Sequence, residues 1–127
     1  MTFHAGQTFL YPLDDAQEEH LWVIATEPDP DGLFATVSLT SLRGSKDQTV
    51  VLLAGEHPFI KWPTCVAYAA TEISSCENLQ ARLECGLARM HRDASPELLK
   101  LVQDGFLASN LTKNRVREFI RAYRAAR

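Results

Sequence analysis

The sequence predicts an α+β fold: a small antiparallel β-barrel or tightly curled sheet of about five strands, followed by helices. Three observations carry this. Residues 1–74 hold short β-rich apolar runs separated by brief turns. The segment EPDPDG, with two prolines, acids and a glycine, links two of those runs as a hairpin turn. Residues 75–127 switch to helix-start signals and four-residue apolar spacing. The 127 residues are expected to form a single domain, with residues 1–74 as the β part and 75–127 as the helical part.

Taken in order, GQTFLYPL is apolar and aromatic and stops at Pro12 and the acidic DDAQEE. HLWVIAT is nearly continuous in apolar residues, as a strand covered on both faces should be. After EPDPDG comes LFATVSLTSL, in which Phe34, Thr36, Ser38 and Thr40 alternate with Ala35, Val37, Leu39 and Ser41. TVVLLAG is its expected partner, and TCVAYAATEI is the last strand. Ser75 is placed to cap a helix through CENLQARLEC, which Gly86 should end. Ser95-Pro96-Glu97 starts a second helix, with serine as cap and proline as first helical residue. Thr112 is expected to cap a third, in which Val116, Phe119, Ile120 and Tyr123 form one apolar stripe among Arg115, Arg117, Arg121 and Arg124.

Composition narrows the function classes. The apolar share of 46% and charged share of 23% are ordinary for a soluble globular chain. No apolar run approaches the roughly 20 residues that span a bilayer, and the first residues lack the basic-then-apolar pattern of a signal peptide. No membrane role and a cytoplasmic location are therefore expected. The net charge of −3 hides an asymmetry. Residues 1–63 carry nine acids and three bases, whereas residues 64–127 carry seven acids and ten bases. Contact with a polyanion must therefore be local or run through the C-terminal helix. The three cysteines have no zinc spacing, Cys65 reads as a buried apolar residue, and no metal or cofactor site is expected.

Candidate chemistry sits at two places. Thr40-Ser41-Leu42-Arg43-Gly44 ends a strand with two hydroxyls, an arginine and a glycine, a set able to hold a phosphate, and Lys46 follows in the adjoining loop. GEHPFIKWPT brings His57, Lys61 and Trp62 into one short segment, which Pro58 and Pro63 stiffen. Histidine transfers protons near neutral pH. Lysine offsets charge developing on phosphorus oxygens. Trp62 and Phe59 offer faces on which an unpaired base can stack. The competing reading makes Phe59, Ile60 and Trp62 a plug for the barrel end, with His57 and Lys61 solvated. His20 opens the second strand, and His91 reads as part of a solvated linker.

The order of these parts resembles the MazF/PemK toxin family, over roughly residues 5–108. The resemblance rests on GQTFLYPL, HLWVIAT, LFATVSLTS, TCVAYAATEI and the helix SPELLKLVQDGFL. It implies an SH3-like barrel, a homodimer, metal-free cleavage of single-stranded RNA, and an antitoxin as protein partner. The matching position with chemical content is Thr40, beside Ser41. The family commonly places an Arg-Pro pair before its second strand, where this chain has Glu19-His20-Leu21. His20 and His57 are then the expected proton-transfer pair, Arg43 or Lys61 the charge stabiliser, and Thr40 the orienting residue, with Ser41, Trp62 and Lys46 contacting RNA. The rival expectation is a non-catalytic SH3-like adaptor that lost the arginine and binds a protein partner through its basic C-terminal helix.

Overall fold

The structure, a computed structural model, describes residues 2–12 and 18–127. The acidic loop expected at 14–19 falls, over 14–17, outside the described residues. Over the described residues the fold is α+β: a curled antiparallel six-stranded sheet with three helices. Its strands are β1 (Thr8–Pro12), β2 (Glu19–Ile24), β3 (Leu33–Ser41), β4 (Val51–Leu52), β5 (Thr64–Ser75) and β6 (Arg89–His91). They lie in the order β4-β5-β3-β2-β1-β6. The helices are α1 (Cys76–Glu84), α2 (Pro96–Ala108) and α3 (Asn114–Ala125).

Strand β2 sits near the middle of the sheet and is covered on both faces, which explains its unbroken apolar run. Leu21 and Val23 join a core closed by Leu98, Val102 and Phe106 of α2 and by Val116 and Ile120 of α3. Trp22 and Ile24 point the other way, toward Phe3, Phe9, Phe34 and Leu79 of α1. The β2–β3 hairpin turns where expected. Gly32 takes a φ of +78°, and the Asp29 carboxylate accepts from the backbone N–H groups of Asp31 and Leu33.

Curling comes from a large bulge in β5. Thr36 faces Glu72, but Ser38 faces Ala67, so Tyr68–Thr71 must be accommodated beside Val37. Such insertions bend a strand and sharpen its twist. The Thr71 hydroxyl donates to the Tyr68 carbonyl at 2.7 Å, satisfying an acceptor within the bulge. The bend brings Tyr68 under α2, where its hydroxyl donates to the Val102 carbonyl at 2.8 Å.

Several elements differ from the sequence reading. The run TVVLLAG yields only Val51–Leu52 as ladder, and it pairs with β5 rather than with the expected partner β3. The Leu53 N–H instead donates to the Glu56 carboxylate, and Gly55 bonds back to the Ile60 carbonyl, so a turn replaces the strand. The expected linker containing His91 holds a sixth strand, β6, paired with β1. Thr112 is not the cap of α3: Lys113 occupies that position without a side-chain hydrogen bond, and the buried Thr112 Oγ1 has no partner among the described residues. The Arg117 guanidinium gathers the α2–α3 connection by donating to the carbonyls of Leu107, Ser109 and Thr112. The other two starts are as expected, with Ser75 capping the Asn78 N–H and Ser95 the Leu98 N–H. Gly86, at a φ of +82°, follows the end of α1.

The stripe of α3 is used internally. Val116 and Ile120 are buried, Phe119 packs on the same core, and the Tyr123 hydroxyl accepts from the Glu27 N–H. On its outer face Arg121 pairs with Glu118 and Arg124 with Asp104 of α2. No helix among the described residues is long and apolar enough to cross a membrane.

Candidate functional site

The two outer strands of the sheet, β4 and β6, do not pair, and the segment after β4 spans the gap. Its central residue is His57, which is 2% exposed. His57 Nδ1 accepts from the Phe59 N–H at 3.1 Å, and its Nε2–H donates to the Arg92 carbonyl at 2.6 Å. Both ring nitrogens are therefore committed, and the tautomer follows from these partners. This corrects the expectation that His57 moves a proton for a substrate: it has no free nitrogen and no exposed edge. Its ring lies 5.2 Å from that of His91, centre to centre, and Phe59 meets His91 edge-on at 6.0 Å.

Above this bridge lies an open cleft of about 460 Å³. Strands β2 and β3 supply His20, Leu39, Thr40 and Ser41 to its wall. The bridging segment supplies Pro58, Phe59, Lys61 and Trp62, and β6 supplies His91. Five of the expected site residues are thus brought together: His20, Thr40, Ser41, Lys61 and Trp62. His20 leans across to the Leu39 carbonyl, 3.2 Å from its Nδ1, which joins the start of β2 to the end of β3 at the cleft wall. A backbone bond from the Leu42 N–H to the Pro63 carbonyl at 3.0 Å fixes the Thr40–Ser41 end against the Trp62 loop.

Arg43 stands apart from this cleft. It lines an adjoining hollow of about 410 Å³ with Ser41, Leu42, Trp62 and Pro63. Ser41 and Trp62 border both hollows, so Trp62, 59% exposed, forms a ridge between them. The competing plug reading holds for Ile60, which is buried, and fails for Trp62 and Phe59, which are exposed. Lys46 is exposed and borders neither hollow.

Charge in the cleft is mixed. Glu18 and Glu19 line it beside Lys61. Glu19 is occupied by Arg89 of β6, with 2.8 Å between guanidinium nitrogen and carboxylate oxygen. That hydrogen bond holds the Glu19 carboxyl below the usual range. Burial, with lesser repulsion from His57, Arg89 and Arg92, depresses the basicity of His91.

His91 is the cleft residue that sequence reading missed. Its signal was faint: one residue of alternation around Met90, in a stretch rich in arginine and aspartate. Only the pairing of Leu10 with Arg89, Phe9 with Met90 and Thr8 with His91 places it. Among the described residues no group of three His, Cys, Asp or Glu side chains is placed to hold a metal ion. The three cysteines are free, and Cys65 is buried. No family model matches the chain, and no curated protein or solved structure matches it either.

Proposed function

We propose that the protein is a MazF/PemK-like, SH3-like barrel protein whose cleft binds single-stranded RNA and cuts it without a metal. The observation that carries this reading is the convergence of His20, Thr40, Ser41, Lys61 and Trp62 on one cleft. Hydroxyls and an ammonium suit a phosphodiester, and Trp62 and Phe59 suit the flanking bases. The second hollow, with Arg43 across the Trp62 ridge, gives the next nucleotide a place.

Cleavage in such a site uses the substrate's own 2′-hydroxyl. His20 takes its proton, the 2′-oxygen attacks phosphorus, and the bond to the 5′-oxygen breaks. The Lys61 ammonium offsets the phosphorane charge and returns a proton to the departing oxygen. The products are a 2′,3′-cyclic phosphate and a 5′-hydroxyl. Thr40 orients the phosphate. The family likeness adds a homodimer and an antitoxin as further proposals.

The adaptor reading is weaker, because Val116 and Ile120 of the α3 stripe lie in the core and Arg121 and Arg124 are already paired with Glu118 and Asp104. Incubation with single-stranded RNA pools tests the choice. Binding lost in Lys61→Ala and Trp62→Ala, with cyclic-phosphate ends made by the wild type alone, supports the nuclease. Binding that survives both substitutions removes the cleft from RNA recognition.

A further inference from the structure

The two imidazoles of the cleft are held by opposite backbone partners. His20 Nδ1 lies 3.2 Å from a carbonyl oxygen, that of Leu39. A carbonyl only accepts, so Nδ1 carries the hydrogen and Nε2 of the neutral ring is a bare lone pair. His91 Nδ1 lies 2.8 Å from a backbone N–H, that of Arg92. An N–H only donates, so Nδ1 is the lone pair and Nε2 carries the hydrogen. One ring therefore offers an acceptor and the other a donor, on walls of the same cleft.

The buried bridge holds the second of these states. His57 packs on the His91 ring and itself donates to the carbonyl of Arg92, the residue whose N–H occupies His91 Nδ1. Arg92 is thus gripped at both ends of its backbone. A proton on His91 Nδ1 would face an N–H and break that bond. Burial and the neighbouring cationic groups also oppose protonation of His91. The charged and titratable groups around the pair are Glu18, Glu19 and Lys61 in the cleft and His57, Arg89 and Arg92 behind His91.

We infer that His20 and His91 form an acceptor–donor pair that recognises a ribose 2′-hydroxyl and its adjoining phosphodiester. His20 Nε2 accepts from the 2′-O–H, and His91 Nε2–H donates to a phosphoryl oxygen. The inference rests on the reading of the cleft as an RNA site and adds a role for His91. That role is a neutral donor, distinct from a general acid, because a neutral imidazole that gave up its remaining proton would become an anion. It also makes the cleft a discriminator of RNA from DNA, since only RNA carries the 2′-hydroxyl.

The test joins nitrogen-15 NMR of the free protein at neutral pH with equilibrium binding of oligouridine and oligodeoxyuridine. The expected spectrum shows His20 protonated at Nδ1 and His91 at Nε2. The RNA should bind about fivefold more tightly than the DNA, the worth of one neutral hydrogen bond. His20→Ala should erase that preference. His91→Ala should weaken both oligomers about tenfold, as expected for a bond to a charged acceptor. His91→Gln, which keeps an N–H, should recover most of the loss. A His91 ring protonated at Nδ1 overturns the inference whatever the binding data show. Equal affinity for RNA and DNA overturns it while the nucleic-acid reading stands. Binding to neither oligomer removes both.

Discussion

The His57 imidazole donates to the Arg92 carbonyl across 2.6 Å and so ties the segment after β4 to the end of β6, the opposite edge of the sheet. The two edge strands share no ladder, and this side-chain bond stands in for one. His57→Ala leaves the Arg92 carbonyl and the Phe59 N–H without that partner and opens a void under the cleft. The expected cost is about 2–4 kcal/mol in urea unfolding. A loss below about 0.5 kcal/mol, within the scatter of ordinary surface substitutions, would deny the residue its structural role.

Gly105 in α2 is packed against Tyr68. A Cβ built there would lie 1.8 Å from the Tyr68 hydroxyl and 2.8 Å from Val50 Cγ2. Tyr68 cannot yield easily, since it is fully buried, bonded to Val102 and edge-on to Phe106 at 5.0 Å. Helix propensity alone favours Gly105→Ala by about 1 kcal/mol. Overpacking and a displaced tyrosine outweigh it, so thermal and urea unfolding should show a net loss of about 2 kcal/mol or more. Tyr68→Phe in the alanine background should recover part of it by removing the clashing oxygen. A stabilised Gly105→Ala protein would contradict the packing.

These two sites also mark what the sequence could reveal. Apolar runs, the Gly32 turn and the serine caps were legible because local chemistry decides them. So was the stripe Val116, Phe119 and Ile120, which lies on the core. TVVLLAG misled because Glu56 and Gly55 offer its backbone a local alternative that composition does not register. Strand β6 was hidden because three residues carry too little periodicity to stand above noise. His20, Thr40, Ser41, Lys61 and Trp62 were singled out by residue type, and their meeting in one cleft depends on strand order. His57 was read as reactive since burial of a histidine leaves no mark on its neighbours in sequence.

Asp47 makes stability depend on acid. It is 7% exposed. The Ser109 hydroxyl donates to Oδ2 at 2.6 Å, and the Thr49 hydroxyl and N–H donate to Oδ1 at 2.7 and 3.1 Å. Burial pushes the carboxyl up, but these donors outweigh it and hold it below the usual carboxylate range. The unfolded chain thus takes up the Asp47 proton at a higher pH than the folded one. The contribution is complete above the ordinary carboxylate pKa and is lost as pH falls through the lower folded value. The stability gap between wild type and Asp47→Asn should be widest near neutrality and shrink toward pH 3. A gap that does not change with pH would contradict this.

Trp62 and Lys61 are exposed and make no core contact. Trp62→Ala and Lys61→Ala should therefore change unfolding free energy by less than about 0.5 kcal/mol. RNA affinity should fall in both, by about 1–3 kcal/mol for the lost stacking face. Lys61→Ala should also flatten the salt dependence of binding, because one phosphate contact is gone. An unchanged salt slope would place the phosphate elsewhere.

The central claim is that single-stranded RNA lies in the cleft between the β3 end and the Trp62 loop. Photo-crosslinking of the intact protein to an oligonucleotide bearing 4-thiouridine, followed by peptide mapping, addresses it directly. The account predicts crosslinks within Phe59–Thr64 and at the Thr40–Arg43 strand end, lost on adding unlabelled RNA. Crosslinks confined to the charged face of α3, or none at saturating RNA, would contradict it.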